Sequence, residues 1–271
     1  MVSVTKRFLL AQDWSSWGDI SLQTASALFQ LWGLPTVSLP VKLLAAHTGW
    51  DKQAPSIDLN AWVQQTLDHW QMVQWSGIYL GYLGSHSLID LWLSYLKQQS
   101  CPIILDPAMA DHGKLYHGLS AHYVDRQKQL LPLVDVLTPN LTEAQLLVGF
   151  PITDADTLKQ ALQSLAQQLR GHHVVITSVA YKNQLGCAYL DGQKTRLILQ
   201  PRQPRQLFGS GDLFTSLLAI FIFTGAPFET AVVQATKLTT LALQRTALTS
   251  RDIQIATIIP DLLRLRDDNH E

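Results

Sequence analysis

Gly209-Ser210-Gly211-Asp212 sets two glycines one residue apart, directly before a carboxylate and at the head of an apolar run. Such a turn offers successive backbone N–H groups with no side chain in the way, and at a helix N-terminus those groups form a cradle for an anion. A phosphate is the natural guest. A carboxylate beside it can accept the proton of an attacking hydroxyl. The same four residues would also serve as a plain cap on a core helix, and taken alone they leave both readings open.

Further polar groups stand where strands are expected to end. Asp106 follows a strand at 103–105, Asn140 and Glu143 follow one at 134–137, and Thr177 and Ser178 follow one at 174–176. In a doubly wound sheet, ligands bind in the loops at the carboxyl ends of the strands. Each group has an ordinary explanation too, since Asp before Pro is a common turn and Asn-Leu-Thr-Glu a common helix start. As a set they could hold magnesium and a triphosphate.

The elements that must position these residues alternate between short β-type runs and stretches of helical period. That pattern predicts an α/β fold, a central mostly parallel sheet flanked by helices on both faces. Strands are expected at 8–12, 35–44, 77–81, 102–105, 134–137 and 174–177, and helices at 20–32, 61–73, 88–99 and 154–169. Runs at 185–190 and 195–199 flank Asp191-Gly192, which predicts a small antiparallel ribbon on the sheet. Residues 108–118 carry Gly113, Gly118, Asp111 and Lys114 without apolar period, and read as a mobile surface loop. Thr142 with Gln145 three residues on reads as a capping box opening a short helix that Gly149 closes. After a polar loop rich in Arg, Gln and Pro comes the Gly-Ser-Gly-Asp turn, then a buried helix and two more. No repeat, low-complexity tract or linker interrupts the sequence, and residues 1–271 read as a single domain.

Composition narrows the function. The 271 residues are 47% hydrophobic and 15% charged, with 20 basic against 21 acidic residues. A net charge of -1 gives no electrostatic case for nucleic acid. Cys101 and Cys187 are a distant pair without disulfide or zinc spacing, which suits reducing cytoplasm. Residues 1–12, with only Lys6 and Arg7 and a short apolar run, fall short of a signal peptide. The apolar stretch 213–223 contains Thr215 and Ser216 and is shorter than the roughly 20 residues that cross a bilayer, so no membrane partner is expected. His112, His117 and His122 recur every five residues, which matches neither a helical face nor a metal set. Trp14 and Trp17 suit either a substrate pocket or the core.

Taken in order along the chain, Asp106-Pro107-Ala108-Met109-Ala110-Asp111, Thr138-Pro139-Asn140-Leu141-Thr142-Glu143, Thr177-Ser178 and Gly209-Ser210-Gly211-Asp212-Leu213-Phe214 resemble the motifs of the ribokinase-like superfamily. More closely, they look like its pyridoxal kinase and hydroxymethylpyrimidine kinase branch. The resemblance implies Asp212 as general base and Gly209, Ser210 and Gly211 as the anion hole, although many relatives have Thr at the Ser210 position. It implies that Asn140 and Glu143 help to hold magnesium and that Asp106, Asp111, Thr177 and Ser178 lie on the ATP side. Tyr116 would belong to a flap over the phosphates.

On the acceptor side, His47-Thr48-Gly49 resembles the motif near the pyridine ring, and Tyr82 an aromatic neighbour of it. Asp13 stands where many pyridoxal kinases have Ser, so the choice of vitamer is open, and Asp13 also reads as a cap after the first strand. The activity implied is ATP-dependent phosphorylation of the hydroxymethyl group of pyridoxal, pyridoxine or pyridoxamine. The alternatives are a hydroxymethylpyrimidine (phosphate) kinase and, from another class, a non-catalytic protein that keeps a vitamer or nucleotide pocket. The partners implied are the small-molecule substrate, ATP, Mg2+, a monovalent cation such as K+, and a second copy of the chain in a homodimer.

Overall fold

β1, Arg7–Ser15, is buried along almost its whole length instead of on alternate residues, the pattern of a strand covered on both faces. The computed structural model describes residues 7–203, 205 and 207–268. Met1–Lys6 and, in the polar loop before the glycine turn, Pro204 and Gln206 lie outside the described residues.

After β1 the chain runs through α1 (Ser21–Trp32), β2 (Thr36–Leu44), β3 (Ser56–Asp58), α2 (Asn60–His69), β4 (Trp75–Leu80), α3 (His86–Leu96) and β5 (Ile103–Leu105). It continues through β6 (Ala110–Asp111), β7 (Lys114–Leu115), α4 (Ala121–Lys128), β8 (Val136–Leu137), α5 (Leu141–Val148), α6 (Ala155–Gln168) and β9 (His173–Tyr181). β10 (Gln184–Asp191), β11 (Lys194–Pro201), α7 (Ser210–Phe223), α8 (Phe228–Arg245) and α9 (Ile259–Asp268) complete it.

One nine-stranded sheet has the order β11-β10-β9-β8-β5-β4-β1-β2-β3. The six strands from β9 across to β2 are mutually parallel, and β3, β10 and β11 extend the edges antiparallel. One face packs on α2 to α6 through Ile78, Trp92, Leu137 and Leu162, and the other on α1, α7, α8 and α9 through Leu10, Phe29, Leu217 and Leu238. Strand order reverses beside β1, so the loops leaving β1, β4 and β5 open a crevice at the carboxyl edge. Among the described residues no helix is long and apolar enough to cross a membrane.

The expected architecture is present, with differences that matter for the site. Residues 108–118 are not a plain loop: β6 and β7 form a hairpin, and Met109 and Ala110 are buried. Both turn residues, His112 and Gly113, have positive φ (50 and 76°), the geometry of a tight type I′ turn, and strands of two residues leave no periodicity to read. The capping box is set two residues earlier than Thr142-Gln145. Asn140 caps α5 and Glu143 closes the box. Asp13 is not a cap, since it lies within β1 beside a register shift against β2. β3 was not anticipated, and α2 and α3 end at His69 and Leu96, short of 73 and 99.

Candidate active site

α7 begins at Ser210 with Gly209 as its N-cap, at φ 82°, and no side chain caps it. The first amide spent inside the helix is that of Leu213, which donates to the Gly209 carbonyl at 2.9 Å. The N–H groups of Ser210, Gly211 and Asp212 therefore lack helical partners and add the positive end of the helix dipole. A β-carbon on Gly209 would stand 2.8 Å from Ile20 Cγ2, so left-handed backbone and close packing both require glycine there. Asp212 lies in the first turn of the same helix and accepts a hydrogen bond from the Ser21 backbone at the start of α1.

This helix end faces a cavity of ≈ 270 Å³ lined also by Asp106, Asp111, Tyr116, Thr138, Asn140, Glu143, Thr177 and Ser178. The ATP-side residues expected from the sequence thus share one cavity with Gly209 to Asp212. Asp106, after β5, receives hydrogen bonds from Thr215 Oγ1 (3.1 Å) and the Ala108 amide (3.2 Å). Thr177 and Asn140 form an isolated bridge that continues the pairing of β8 and β9. Ser178 is the extra residue of a bulge, since Gly186 pairs with Val179 and Cys187 with Thr177, and its φ of 59° turns the chain at the cavity wall.

Asn140 and Glu143 are committed to the scaffold. Asn140 Oδ1 accepts from the Glu143 amide, and its Nδ2 donates to the Ala110 carbonyl at 2.7 Å. Glu143, 1% exposed, takes the amides of Met109 (2.8 Å) and Ala110 (3.2 Å) on Oε1 and that of Asn140 (2.9 Å) on Oε2. Glu143 therefore ties the flap hairpin to α5. Hydrogen bonds to a charged group contribute roughly 1.5–3 kcal/mol each, and leaving their donors buried and unpaired costs further. Glu143→Ala is expected to destabilise the protein by about 3 kcal/mol or more in denaturant unfolding. It should also raise the magnesium concentration needed for half-maximal activity. Unchanged stability would contradict the tether, and an unchanged magnesium requirement would remove Glu143 from the metal side.

Among the described residues the cavity lining holds four carboxylates, Asp106, Asp111, Glu143 and Asp212, and no Lys, Arg or His. Burial pushes Asp212 up to about 7, and the charges of Asp106 and then Asp13 add to it. Burial also raises Glu143 and Asp106, with the Asp106 charge a further cause for Glu143. Tyr116, 36% exposed at the cavity wall, is held above its ordinary range by the desolvation of its hydroxyl and then by the charges of Glu143 and its neighbours. Groups whose folded pKa is raised contribute stability that is complete below the unfolded carboxylate range and is lost as pH rises, for Asp212 through about 7. Asp212→Asn, which keeps the neutral form, should therefore gain Tm relative to the parent at about pH 8 compared with about pH 5. An equal Tm difference at both pH values would contradict that electrostatic picture.

The residues expected on the acceptor side, Asp13, His47, Thr48 and Tyr82, stand outside this cavity lining. Asp13 is buried and accepts a bond from Ser15 Oγ at 3.3 Å. Its carboxyl is raised by burial despite bonds from Ser21 and Ser15. Tyr82, half-buried after β4, is pushed up to about 12 by burial and next by the Asp13 charge. Thr48 is exposed. His47 is buried, with Nε2 3.1 Å from Asp252 Oδ1, and its pKa is lowered by burial against the opposing pull of Asp252. Its ring centroid lies 4.9 Å from that of Phe208, which does line the cavity. Trp14 and Trp17 are both exposed, so neither is core.

The sequence reading missed the far wall. Leu185, Gly186, Cys187, Leu207 and Leu243 with Thr236, Thr239 and Thr240 line the rest of the cavity, an apolar slot with hydroxyls suited to a flat base. Thr236, Thr239 and Thr240 share one face of α8 at i, i+3 and i+4, a polar stripe that could have marked it. Among the described residues no group of three or more His, Cys, Asp or Glu is set to hold a metal by itself.

The sequence profile of the family described as phosphomethylpyrimidine kinase matches residues 27–255. Among solved structures, a pyridoxal kinase from Lactobacillus plantarum superposes with a TM-score of 0.92 at 30% identity, covering 98% of this chain and 99% of that one. The pyridoxal kinase of Arabidopsis thaliana is 28% identical over 235 residues, which is 80% of this chain and 74% of that protein. A hydroxymethylpyrimidine/phosphomethylpyrimidine kinase of Haemophilus influenzae is 28% identical over 177 residues, 60% of this chain and 63% of that protein.

Proposed function

The chain belongs to the phosphomethylpyrimidine kinase family, and from that premise we propose that it moves the γ-phosphoryl group of ATP to the hydroxymethyl group of a vitamin B6 ring, pyridoxal, pyridoxine or pyridoxamine. It is an ATP-dependent small-molecule kinase. The observation that carries the reading is the uncapped N-terminus of α7, with Asp212 in its first turn, opening on the cavity that holds the strand-end polar groups.

In the proposed reaction the Ser210, Gly211 and Asp212 amides receive the oxygens of the transferring group, and charge that builds there meets donors already in place. Asp212 orients the acceptor hydroxyl and takes its proton. Its raised pKa leaves it a stronger base than an ordinary carboxylate while still ionised above neutral pH. The slot beside α8 takes the base of ATP, and Thr177 and Ser178 border its phosphates. Four carboxylates with no cationic side chain among the described residues make a site that accepts a triphosphate together with cations, which fits Mg2+. Magnesium would neutralise and orient the phosphates. Asn140 and Glu143 would reach it through solvent, since their own atoms bind backbone. Tyr116 and the hairpin at 110–115 would close over the phosphates and exclude water.

Asp13, His47, Thr48 and Tyr82 are assigned to the acceptor. We place the reaction in the cytoplasm, where the buried free thiols of Cys101 and Cys187 remain reduced, and in a homodimer of one-domain subunits. A dependence on K+ belongs to the same reading. Steady-state kinetics with ATP on the three B6 vitamers and on hydroxymethylpyrimidine separate the two ring types. Preference for the pyrimidine by kcat/KM would replace the B6 assignment with the thiamin-precursor one.

A further inference from the structure

Asp252 lies 205 residues from His47 in sequence and is 6% exposed, yet its carboxylate is a meeting point for two other loops. Oδ1 receives Trp50 Nε1 at 2.9 Å and faces His47 Nε2 at 3.1 Å. Oδ2 receives the backbone amide of Asp19 at 3.3 Å. The loops held in this way follow β2 and β1, and carry the His47-Thr48-Gly49 motif and the entry to α1. Gly18 lets them meet, because a β-carbon there would stand 2.6 Å from His47 Cδ2 and 3.2 Å from Asp252 Oδ2.

The backbone around Asp252 is fixed to the other half of the site. Phe208 donates to the Arg251 carbonyl and accepts from the Ile253 amide, both at 3.0 Å, so residues 251–253 pair in parallel with the residue just before Gly209. Asp252 thus joins the acceptor loops by its side chain, while its two neighbours, Arg251 and Ile253, tie the same segment to the phosphate cradle by their backbone. The His47 ring is held between Phe208 and Trp50, at centroid distances of 4.9 and 5.1 Å. A neutral His47 donates from Nε2 to Asp252, which fixes the ring and leaves Nδ1 as its acceptor.

We propose that Asp252 is a positioning residue that sets the two acceptor-side loops in register with the anion cradle of α7. The proposal rests on the kinase reading for its kinetic consequences, but the clamp itself is independent of it. Asp252→Ala removes the acceptor of all three donors, and Trp50→Phe removes one donor while keeping an aromatic ring against His47.

Amide hydrogen exchange without ligand tests the clamp. In Asp252→Ala, residues 16–20 and 46–50 should lose protection together while α7 beyond Leu213 keeps it. Unchanged exchange in both loops, or an equal loss throughout the protein, would overturn the proposal. Kinetics test the register. Asp252→Ala should raise the acceptor KM by about tenfold and leave the ATP KM within about twofold, a split that general loss of structure does not produce. Trp50→Phe should raise the acceptor KM by about threefold, and the double variant should show less than the product of the two effects. Equal rises in both KM values, or independent effects in the double variant, would overturn it. Should Asp252→Ala fail to fold, Trp50→Phe decides by exchange and by acceptor KM. A parent protein without turnover on either ring type would refute the kinase reading, and the exchange result would still judge the clamp.

Discussion

Asp212→Asn is expected to lower turnover by about 10³-fold while the affinity for ATP stays within about twofold, because the substitution removes a proton acceptor and little else. The side chain keeps its size and its oxygen, so the bond from the Ser21 backbone can persist. What disappears is basicity: burial and the neighbouring Asp106 and Asp13 charges lift this carboxylate toward neutral pH, and an amide has no equivalent. The same assignment fixes the sign of the pH profile. As the base must be ionised, kcat/KM should rise from acid pH and level off above about 7. Near-full turnover in the variant would remove Asp212 from the chemistry, and a profile flat through neutral pH would remove the raised base.

Gly211→Ala is expected to lower kcat by about 10²-fold without loss of stability, because the added methyl enters the cradle and not the protein. A β-carbon on Gly211 meets only Asp106 Oδ2, at 4.0 Å, so nothing in the fold resists it. Within a helix, Gly to Ala reduces the freedom of the unfolded chain and should hold or raise Tm. Gly209→Ala supplies the contrast. Its left-handed φ and the Ile20 contact at 2.8 Å predict a fall in Tm as well as in activity. A Gly211→Ala protein with unchanged turnover would leave the Gly209 to Asp212 turn as a helix cap alone.

The parts of this site legible in the sequence are those whose physics is local. Two glycines before an apolar helix specify their own turn, and buried strands announce themselves by apolar runs, so the Gly209 to Asp212 turn and the strands that end at Asp106, Asn140 and Thr177 were both readable. Where two local signals overlapped, the wrong one was taken. Asn140-x-x-Glu143 and Thr142-x-x-Gln145 both satisfy the capping pattern, and the first prevails because Glu143 also takes the Met109 and Ala110 amides from a distant loop. Asp252 gave no signal, since its three donors come from loops more than 200 residues away. The Thr236-Thr239-Thr240 wall was overlooked because only the fold brings that face of α8 to the cavity. The positive φ of Ser178 arises from a bulge between β9 and β10, a register event that no run of residues encodes.

The reaction proposed for this chain is phosphoryl transfer from ATP to the hydroxymethyl group of a B6 ring. It is tested most directly by incubating the protein with Mg2+, ATP and each of pyridoxal, pyridoxine and pyridoxamine, and by following ADP and the phosphorylated ring together. The expected result is one ADP formed per 5'-phosphate ester, with at least one vitamer turned over at higher kcat/KM than hydroxymethylpyrimidine. ATP and vitamers left unchanged, or ester formed on the pyrimidine alone, would contradict it.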